Sequence, residues 1–478
     1  MPIWLLIAIP AVGGLVAWLV GRVRPGAARV IALATALVQA AVTVRLCALA
    51  IAPDGAAGIS GALAGRYVRV ALDGLSVPLV ALTGLLGIVA VLASWREERR
   101  PGAHFGLLLA LQASVTAVFV VTDLVAFYAA WEAVLIPMFF LIGSWGHEDR
   151  RHAAMKFFLY TFAGSALMLV GIVVLATQAG TTDMRALGAL SLSPAVRTLV
   201  FWLMLAGFAV KMPMWPLHTW LPDAHVEAPT AGSIMLAGVL LKMGGYGLLR
   251  VALPVAPDAA RAAGPLLAAL GIIAILYGAF MALAQTDLKR LVAYSSVSHM
   301  GFVVLAVAIG TPVALTGAML VMVAHGVISA ALFLLVGALY DRTGTRDMSR
   351  MGGLLRVMPG WGSAFTFACL ASLGLPGLAG FPGELSAFLE GFRAYGWWML
   401  VAALGLVISA VYNLRAVRRV AHGPLPEEWE GLEDLRAHEV PALVLLGVAI
   451  VGLGVWPNVV SEVFTRTAAV VLASIGGW

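Results

Sequence analysis

The sequence predicts an all-α polytopic membrane protein with about 14 transmembrane helices, and its composition carries this prediction. Of the 478 residues, 62% are hydrophobic and only 11% are charged, and the mean hydropathy is +0.98. A transmembrane helix needs about 20 apolar residues, so the roughly 300 hydrophobic residues suffice for about 14 helices. A soluble protein with so few charged side chains would leave too much apolar surface in contact with water.

Fourteen apolar stretches, separated by charged or Gly/Pro-rich links, account for this number. They lie at approximately 3–21, 28–51, 74–95, 104–121, 123–145, 153–178, 196–217, 229–251, 263–285, 289–309, 312–340, 359–392, 395–414 and 440–461. Two of them are expected to be broken helices, because proline inside a span frees carbonyls that only protein or water can satisfy. The seventh stretch ends in Lys211-Met212-Pro213, and the twelfth is interrupted between Pro376 and Gly383.

The two broken helices lie five spans apart, which is typical of transporters built from internal repeats. We therefore predict two five-helix repeats, spans 4–8 and 9–13, which are inverted because five is an odd number. The expected organisation is transmembrane helices 1–3 in residues 1–103, the first repeat in 104–251, the second in 252–420, and a C-terminal helix and tail in 421–478.

The distribution of cations predicts the orientation of the chain. If the N-terminus is outside, 19 of the 30 Lys and Arg residues fall in cytoplasmic loops and nine fall outside, while Lys211 and Lys242 lie within the membrane. This bias follows the positive-inside rule. It also explains the net charge of +6. We therefore expect the chain to contact the lipid bilayer and not to bind nucleic acid.

Several classes of cofactor site are missing from the sequence. The two cysteines, Cys47 and Cys369, lie in apolar runs, which excludes a disulfide scaffold and a cysteine-rich iron–sulfur site. The sequence contains no GxGxxG, GxxxxGK[ST] or HExxH motif, the patterns that indicate nucleotide and zinc sites. We therefore expect neither a cofactor nor a metal in this chain.

Four charged residues lie well inside predicted spans: Glu132, Lys211, Lys242 and Glu384. Each costs roughly 2.5–3.5 kcal/mol near the bilayer centre, and such residues usually serve ion or proton transport or pair with one another. Glu132 and Lys211 form either a static ion pair or a pair that opens and lets the lysine release a proton. The second interpretation is favoured because Lys242 has no obvious acidic partner. Glu384 can cap a half-helix after Pro382-Gly383 and also transfer protons.

Histidines extend this series of ionisable residues. His299 lies in a polar strip of its span and His325 in the middle of the next span. Each alone would most simply be a hydrogen-bonded core residue, but together they indicate a proton relay, because neutral imidazole accepts on one nitrogen and donates from the other. His218, Asp223 and His225 follow Lys211 in a loop. They are either a hydrated mouth or candidates for proton entry.

Several long motifs make the chain resemble a known family. They are Trp131–Met138, Lys211-Met212-Pro213, Leu217–His225, Ala228–Ser233, Gln285–Leu291 and Ser296–Phe302. From about residue 74 to 460, the chain resembles the subunit M (subunit 4 type) family of antiporter-like subunits of proton-pumping NADH:quinone oxidoreductase, or respiratory complex I. Sister subunits usually carry lysine at the position of Glu384, which favours the subunit M type. The family usually has an aliphatic residue at the position of Pro382.

The resemblance implies a fourteen-helix antiporter-like fold with one proton channel, in a bacterial inner (plasma) membrane. Glu132 and Lys211 match the family's ion pair, Lys242 its central lysine, and Glu384 its terminal carboxylate. His299 and His325 match its connecting histidines. It also implies that NADH, FMN, iron–sulfur clusters and quinone are bound by partner subunits, and that other antiporter-like subunits are neighbours.

Three alternatives share this pattern in whole or in part. The first is a subunit of a multi-subunit cation/proton antiporter, and the second is a proton-channel subunit of a membrane-bound hydrogenase or formate-oxidising complex. The third is a purely structural scaffold, which the cost of four buried charges disfavours.

Overall fold

The computed structural model of this chain describes residues 2–52, 58–63 and 68–465, and it is almost entirely helical. Two of the nine cations counted on the outer side, Arg66 and Arg466, lie outside the described residues. The same is true of the rest of the predicted C-terminal tail from residue 466 onwards. Helices of eight residues or more are α1 (Leu5–Gly21), α2 (Pro25–Ile51), α3 (Ser76–Ala93), α4 (Pro101–Val120), α5 (Leu124–Trp145), α6 (Arg150–Ala179), α7 (Pro194–Lys211), α8 (Trp220–Glu227), α9 (Thr230–Val255), α10 (Pro257–Ala284), α11 (Leu288–Ile309), α12 (Pro312–Thr343), α13 (Pro359–Ser372), α14 (Gly380–Tyr395), α15 (Met399–Val420), α16 (Glu439–Val455) and α17 (Asn458–Thr465).

The prediction of a helical protein with many membrane spans is confirmed. Among the described residues, 11 helices are long and apolar enough to cross a membrane, or 12 if the bent pair α16–α17 is one span. Helix α1, with 17 residues, is shorter than these. Helix lies in each of the fourteen predicted stretches, but the number of fourteen spans stays a prediction.

A small β-hairpin accompanies the helices. Strand β1 (Ile59–Leu63) pairs antiparallel with β2 (Val68–Leu72), so that Ile59 lies opposite Leu72 and Gly61 opposite Val70. The hairpin occupies the link between the second and third predicted spans. Its short strands contain several β-branched residues, which favour strand, but five residues are too few to stand out beside 20-residue apolar runs.

Both predicted helix breaks are present. Helix α7 ends at Lys211 and α8 begins only at Trp220, while α13 ends at Ser372 and α14 begins at Gly380. In the second break, Gly374 and Gly377 have φ of 78° and 89°, a conformation that glycine adopts without strain. A third break was missed: α16 and α17 meet at 64° within the predicted span 440–461. Pro457, which disfavours helix at the residue before it, gives the physical reason.

Two backbone clasps of the same design occur five spans apart. In each, the first residue of a helix and the residue 60 positions later both donate a backbone N–H. Each N–H bonds to the carbonyl of the residue two positions before the other one. The bonds, all 2.8–2.9 Å, run from Leu124 N to Thr182 O, Met184 N to Thr122 O, Leu288 N to Arg346 O and Met348 N to Thr286 O. The clasps precede α5 and α11, the equivalent helices of the two predicted repeats. The repeats themselves stay a prediction.

Three helices lie at the centre of the bundle. The most apolar window of α12 is 100% buried, and those of α9 and α11 are 94% and 89% buried. Helix α14 approaches α12 so closely at Gly383 that a Cβ there would lie 2.6 Å from the backbone nitrogen of Val321. Only glycine fits at this position. This approach places Glu384, the next residue, inside the bundle.

Candidate functional site

Lys242 lies in α9 between two π-helical segments, Leu236–Leu240 and Leu248–Ala252. Single π turns inside α-helices are frequent at functional sites. The Lys242 ammonium donates to the carbonyl of Ala237 and lies 2.6 Å from Nδ1 of His325 on α12. Because an ammonium has only donors, Nδ1 is the acceptor when Lys242 is charged, and the imidazole proton is then on Nε2. The lysine that the sequence left without a partner is thus paired with a histidine.

The second buried pair joins His299 on α11 to Glu384 on α14. Nδ1 of His299 lies 2.7 Å from Oε1 of Glu384, and both residues are less than 9% exposed. On the other side of the ring, Nε2 of His299 lies 3.4 Å from the hydroxyl of Ser372. The amide of Asn413 donates to this hydroxyl over 3.5 Å. The helix break before α14 therefore brings a carboxylate and a hydroxyl to one imidazole.

A small cavity separates the two pairs. The rings of His299 and His325 have their centroids 5.7 Å apart, and the cavity between them has a volume of about 10 Å³. The histidines, Glu384 and the hydroxyls of Ser295 and Ser329 contribute to its lining. This volume is close to the smallest that accepts one water molecule. One bridging water would therefore connect Lys242 to Glu384 without a larger channel.

The expected contact between Glu132 and Lys211 is not formed. Nζ of Lys211 and Oε1 of Glu132 are both buried, and neither has a hydrogen-bond partner among the described residues. The Lys211 ammonium instead lies 5.8 Å from the centroid of the Trp131 ring and 5.4 Å from that of Phe157. Aromatic faces attract cations more weakly than a carboxylate in contact does. In this conformation the two residues are thus apart, as an open switch would be.

The two histidines after Lys211 are buried rather than at a hydrated mouth. His225 is 0% exposed and His218 is 2% exposed. The His225 ring stacks on Phe333 at 4.5 Å and 9°, and His218 meets Tyr277 edge-on at 4.9 Å. Phe333 follows His325 by eight residues on α12, which is about 12 Å along the helix. His225 therefore lies beside α12, the helix that carries His325, and nearer than His325 to the end of α12 at Thr343.

Asp223 is the one of these three candidates that reaches solvent. Its carboxylate lies 2.6 Å from Nζ of Lys156 and 3.4 Å from the guanidinium of Arg290, and its side chain is 30% exposed. The exposure of Asp223 is compatible with a hydrated mouth, and proton entry through these three residues stays a prediction.

Two ionisable groups outside the spans lie next to this region. Burial raises the pKa of the Glu227 carboxyl above its usual value, although the backbone N–H of Asp149 donates to it. Burial, together with Lys289 and Arg346, lowers the pKa of His147 to about 4. His147 is therefore neutral near pH 7, whereas Glu227 binds a proton more readily than an exposed glutamate.

Lys289 is a buried cation that sequence reasoning missed, because it was assigned to a cytoplasmic loop. It is 3% exposed and lies in the first turn of α11. Its ammonium donates to the carbonyls of Ala228 at 2.6 Å and Val226 at 3.3 Å, and Arg346 also donates to Val226 over 2.6 Å. Its place between Leu288 and Leu291, both apolar, was the available signal. Through these hydrogen bonds, Lys289 fixes the backbone of residues 226–228, directly after His225.

Ser372 and Asn413 were also missed. Both lie in otherwise apolar stretches and are 2% exposed. A search for uncharged polar residues in mid-span, as well as for charged ones, would have found them.

Comparison with known proteins places these residues in a family. A family model described as "NADH:quinone oxidoreductase/Mrp antiporter, TM" matches residues 121–409, more than half of the chain. The chain belongs to this family. All nine candidate residues, from Glu132 to Glu384, lie within the matched range.

Individual relatives and solved structures match most of the chain. NADH-quinone oxidoreductase subunit M of Pseudomonas aeruginosa is 46% identical over 412 residues, which are 84% of this chain and 81% of that protein. A chain of respiratory complex I from Thermus thermophilus has a TM-score of 0.91 at 31% identity, covering 99% of this chain and 100% of that one. A chain of the Mrp complex from Dietzia sp. has a TM-score of 0.85 at 21% identity, covering 99% of both, and shows likeness of fold alone. Both solved structures are of whole assemblies.

Proposed function

We propose that this chain is the subunit-M-type, antiporter-like membrane subunit of an NADH:quinone oxidoreductase and that it translocates protons. The observation that carries the proposal is the line of side chains Lys242, His325, His299 and Glu384, buried in the bundle in two contacting pairs. Static packing does not require a lysine, two histidines and a glutamate in contact at this depth, since each charge is costly there. The similarity to the Pseudomonas subunit M supports the same assignment.

The geometry suggests an order of proton transfers. Protonated Lys242 gives a proton to Nδ1 of His325, whose Nε2 then releases its own proton across the cavity. His299 accepts this proton and passes one from Nδ1 to Glu384, which releases it on the outer side. The steps from Lys242 to Glu384 join a donor and an acceptor at hydrogen-bond distance or, between the two histidines, through one water.

Asp223, His225 and His218 would supply protons to Lys242 from the cytoplasmic side. The side chain of Asp223 is partly exposed, and His225 lies beside α12 between His325 and the end of that helix at Thr343. The direction from cytoplasm to outside rests on the N-terminus-outside orientation in a bacterial inner membrane, which the loop cations favour.

Glu132 and Lys211 would set the direction of transfer. With Lys211 apart from Glu132, burial favours the neutral amine, so Lys211 can release its proton towards Lys242. When Glu132 approaches, its negative charge favours the charged form, and Lys211 can bind its next proton. Energy would reach this pair electrostatically from an adjacent antiporter-like subunit.

The redox reaction would take place in partner subunits that bind NADH, FMN, iron–sulfur clusters and quinone. Fourteen spans in two inverted repeats belong to the same proposal, and the two matching clasps before α5 and α11 support it. The repeat would place Lys211 and Glu384 at equivalent breaks, one in each half.

The second candidate function is cation/proton antiport without an oxidoreductase, and the description of the matching family model, which also names the Mrp antiporter, favours it. Purification of the tagged chain from its native membrane separates the two. Co-purification with flavin and iron–sulfur proteins, together with NADH-driven proton uptake that does not need sodium, would support the first proposal. Isolation without such proteins, with transport that depends on sodium, would support the second.

A further inference from the structure

Helix α15 presents one exposed stripe that is apolar along most of the helix and cationic at its end. Its apolar members are between 48% and 61% exposed, and they are Leu404, Val407, Val411 and Leu414. Their spacing of three and four residues places them on one helix face. The stripe from Leu404 to Leu414 is about 15 Å long, half of the roughly 30 Å hydrocarbon core. It therefore has the length of one leaflet of a bilayer.

The cationic end of the stripe opens into a groove. Arg415, Arg418, Arg419 and His422 line it together with Val411 and Leu414, and its volume is about 920 Å³. The opposite wall is a loop that is fixed by the hydrogen bond from the Gly353 N–H to the His422 carbonyl, 2.9 Å long. The groove thus joins three guanidinium groups to apolar side chains within one surface depression.

The arginines of this groove have no carboxylate in contact within the described part of the chain. Arg415 donates to the carbonyl of Leu283, and Arg419 has only a distant electrostatic interaction with Asp347. Arg418 and Arg419 are exposed. Cations near a helix C-terminus also interact favourably with the helix dipole, but that role requires neither a groove nor an adjoining apolar stripe.

We infer that this groove binds an anionic phospholipid of the membrane, with its phosphate on Arg418 and Arg419. One acyl chain lies along Leu414, Val411, Val407 and Leu404, and the glycerol backbone lies at the junction beside Arg415. Arginine recognises phosphate through paired N–H donors, and basic pockets next to transmembrane helices are known to bind anionic headgroups. A zwitterionic phospholipid carries its own cation and would bind more weakly.

The test uses the whole complex in nanodiscs of phosphatidylcholine that contain a trace of photoactivatable phosphatidylglycerol. Illumination followed by peptide mapping measures how much lipid is cross-linked to α15. The double variant R418Q/R419Q is expected to lower this labelling by roughly 30-fold, because each cation near an anionic headgroup contributes about a factor of five. The R418K/R419K variant keeps both charges and should retain most of the labelling.

The matched control is R22Q/R24Q, which removes two exposed arginines after α1 and should leave α15 labelling unchanged. NADH:quinone reductase activity of each variant establishes that the complex has assembled. Four results would overturn the inference: equal labelling of R418Q/R419Q and the parent, an equal loss in R22Q/R24Q, equal labelling by a phosphatidylcholine probe, or displacement of the lipid by millimolar inorganic phosphate. The last would identify a site for free phosphate.

Discussion

The ammonium of Lys242 lies 2.6 Å from Nδ1 of His325, and neither residue has a carboxylate in contact within the described residues. When a lysine and a histidine are in contact, only one of them carries a positive charge, because two cations at this distance in a protein interior repel strongly. The pair is therefore suited to pass a proton rather than to hold an ion pair. This relationship leads to the first prediction.

Replacement of His325 by Asn is expected to abolish proton translocation while the protein stays folded. The Asn carbonyl can accept from Lys242 as Nδ1 does, but an amide does not relay protons near neutral pH. Proton uptake by proteoliposomes during quinone reduction should fall at least tenfold, as is usual when a general acid–base group is removed. Thr83→Val is the control, since this buried hydroxyl donates to the backbone carbonyl of Leu79 and lies outside the cavity lining. Uptake by H325N equal to that of the parent would contradict the proposed relay.

Filling the cavity between the histidines should have a similar effect. Ala324 lines this cavity, and the variant A324V would place two methyl groups where one water molecule fits. We expect proton uptake to fall at least tenfold, with a loss of stability of about 1–3 kcal/mol from overpacking. A331V, on the same helix and equally buried at 3%, adds the same volume away from the cavity. If both variants pump equally, the cavity is not part of the pathway.

The sequence alone was sufficient for the membrane class and the candidate residues, because buried charge in an apolar run is conspicuous. The family came from the resemblance of the long motifs. Lys242, His325, His299 and Glu384 stand out among leucines, and two broken spans follow from Pro213 and Pro376-Gly377. Which of these residues touch was not accessible in this way. Lys242 and His325 are 83 positions apart, and only the packing of α9 against α12 determines that they meet.

Lys211→Met is expected to stabilise the protein and to abolish pumping. The Lys211 ammonium is buried without a hydrogen-bond partner, and such a group costs about 1–3 kcal/mol, whereas methionine fills the same space with apolar atoms. Thermal unfolding in detergent and proton uptake measure the two effects. Lys289→Met is the matched control: its ammonium donates to two carbonyls, so it should destabilise by about 1–3 kcal/mol. A destabilised K211M, or one that pumps normally, would refute this assignment.

The N-cap aspartates within the two clasps should contribute comparably to stability. Asp123 accepts from the N–H groups of Val125 and Ala126, both at 2.9 Å, and Asp287 accepts from that of Arg290 at 2.8 Å. Loss of such an N-cap costs about 1 kcal/mol, so Asp123→Ala and Asp287→Ala should each lower the unfolding free energy by that amount. Asp149→Ala is the control, because Asp149 makes no side-chain cap bond to α6. An equal effect in D149A would show that these two cap interactions have no special role.

Other parts of the structure lay beyond sequence reasoning for identifiable reasons. The hairpin of Ile59–Leu63 and Val68–Leu72 is too short to be visible beside long apolar runs. Lys289 looks like a loop cation because it lies two residues after Asp287. Its apolar neighbours hint at burial, but the carbonyls of Val226 and Ala228 that it binds are known only from the structure. The separation of Lys211 from Glu132 depends on the rings of Trp131 and Phe157, whose placement requires the three-dimensional packing of the surrounding helices.

The most direct test of the proton pathway is the number of protons translocated per electron pair by the assembled complex carrying Glu384→Gln. Glutamine keeps the size of the side chain and the carbonyl that meets Nδ1 of His299 at 2.7 Å, but it cannot bind and release a proton. We predict that proteoliposomes with this variant translocate fewer protons for each NADH oxidised, or that coupled turnover stops. An unchanged ratio of protons to electrons at normal turnover would contradict the account.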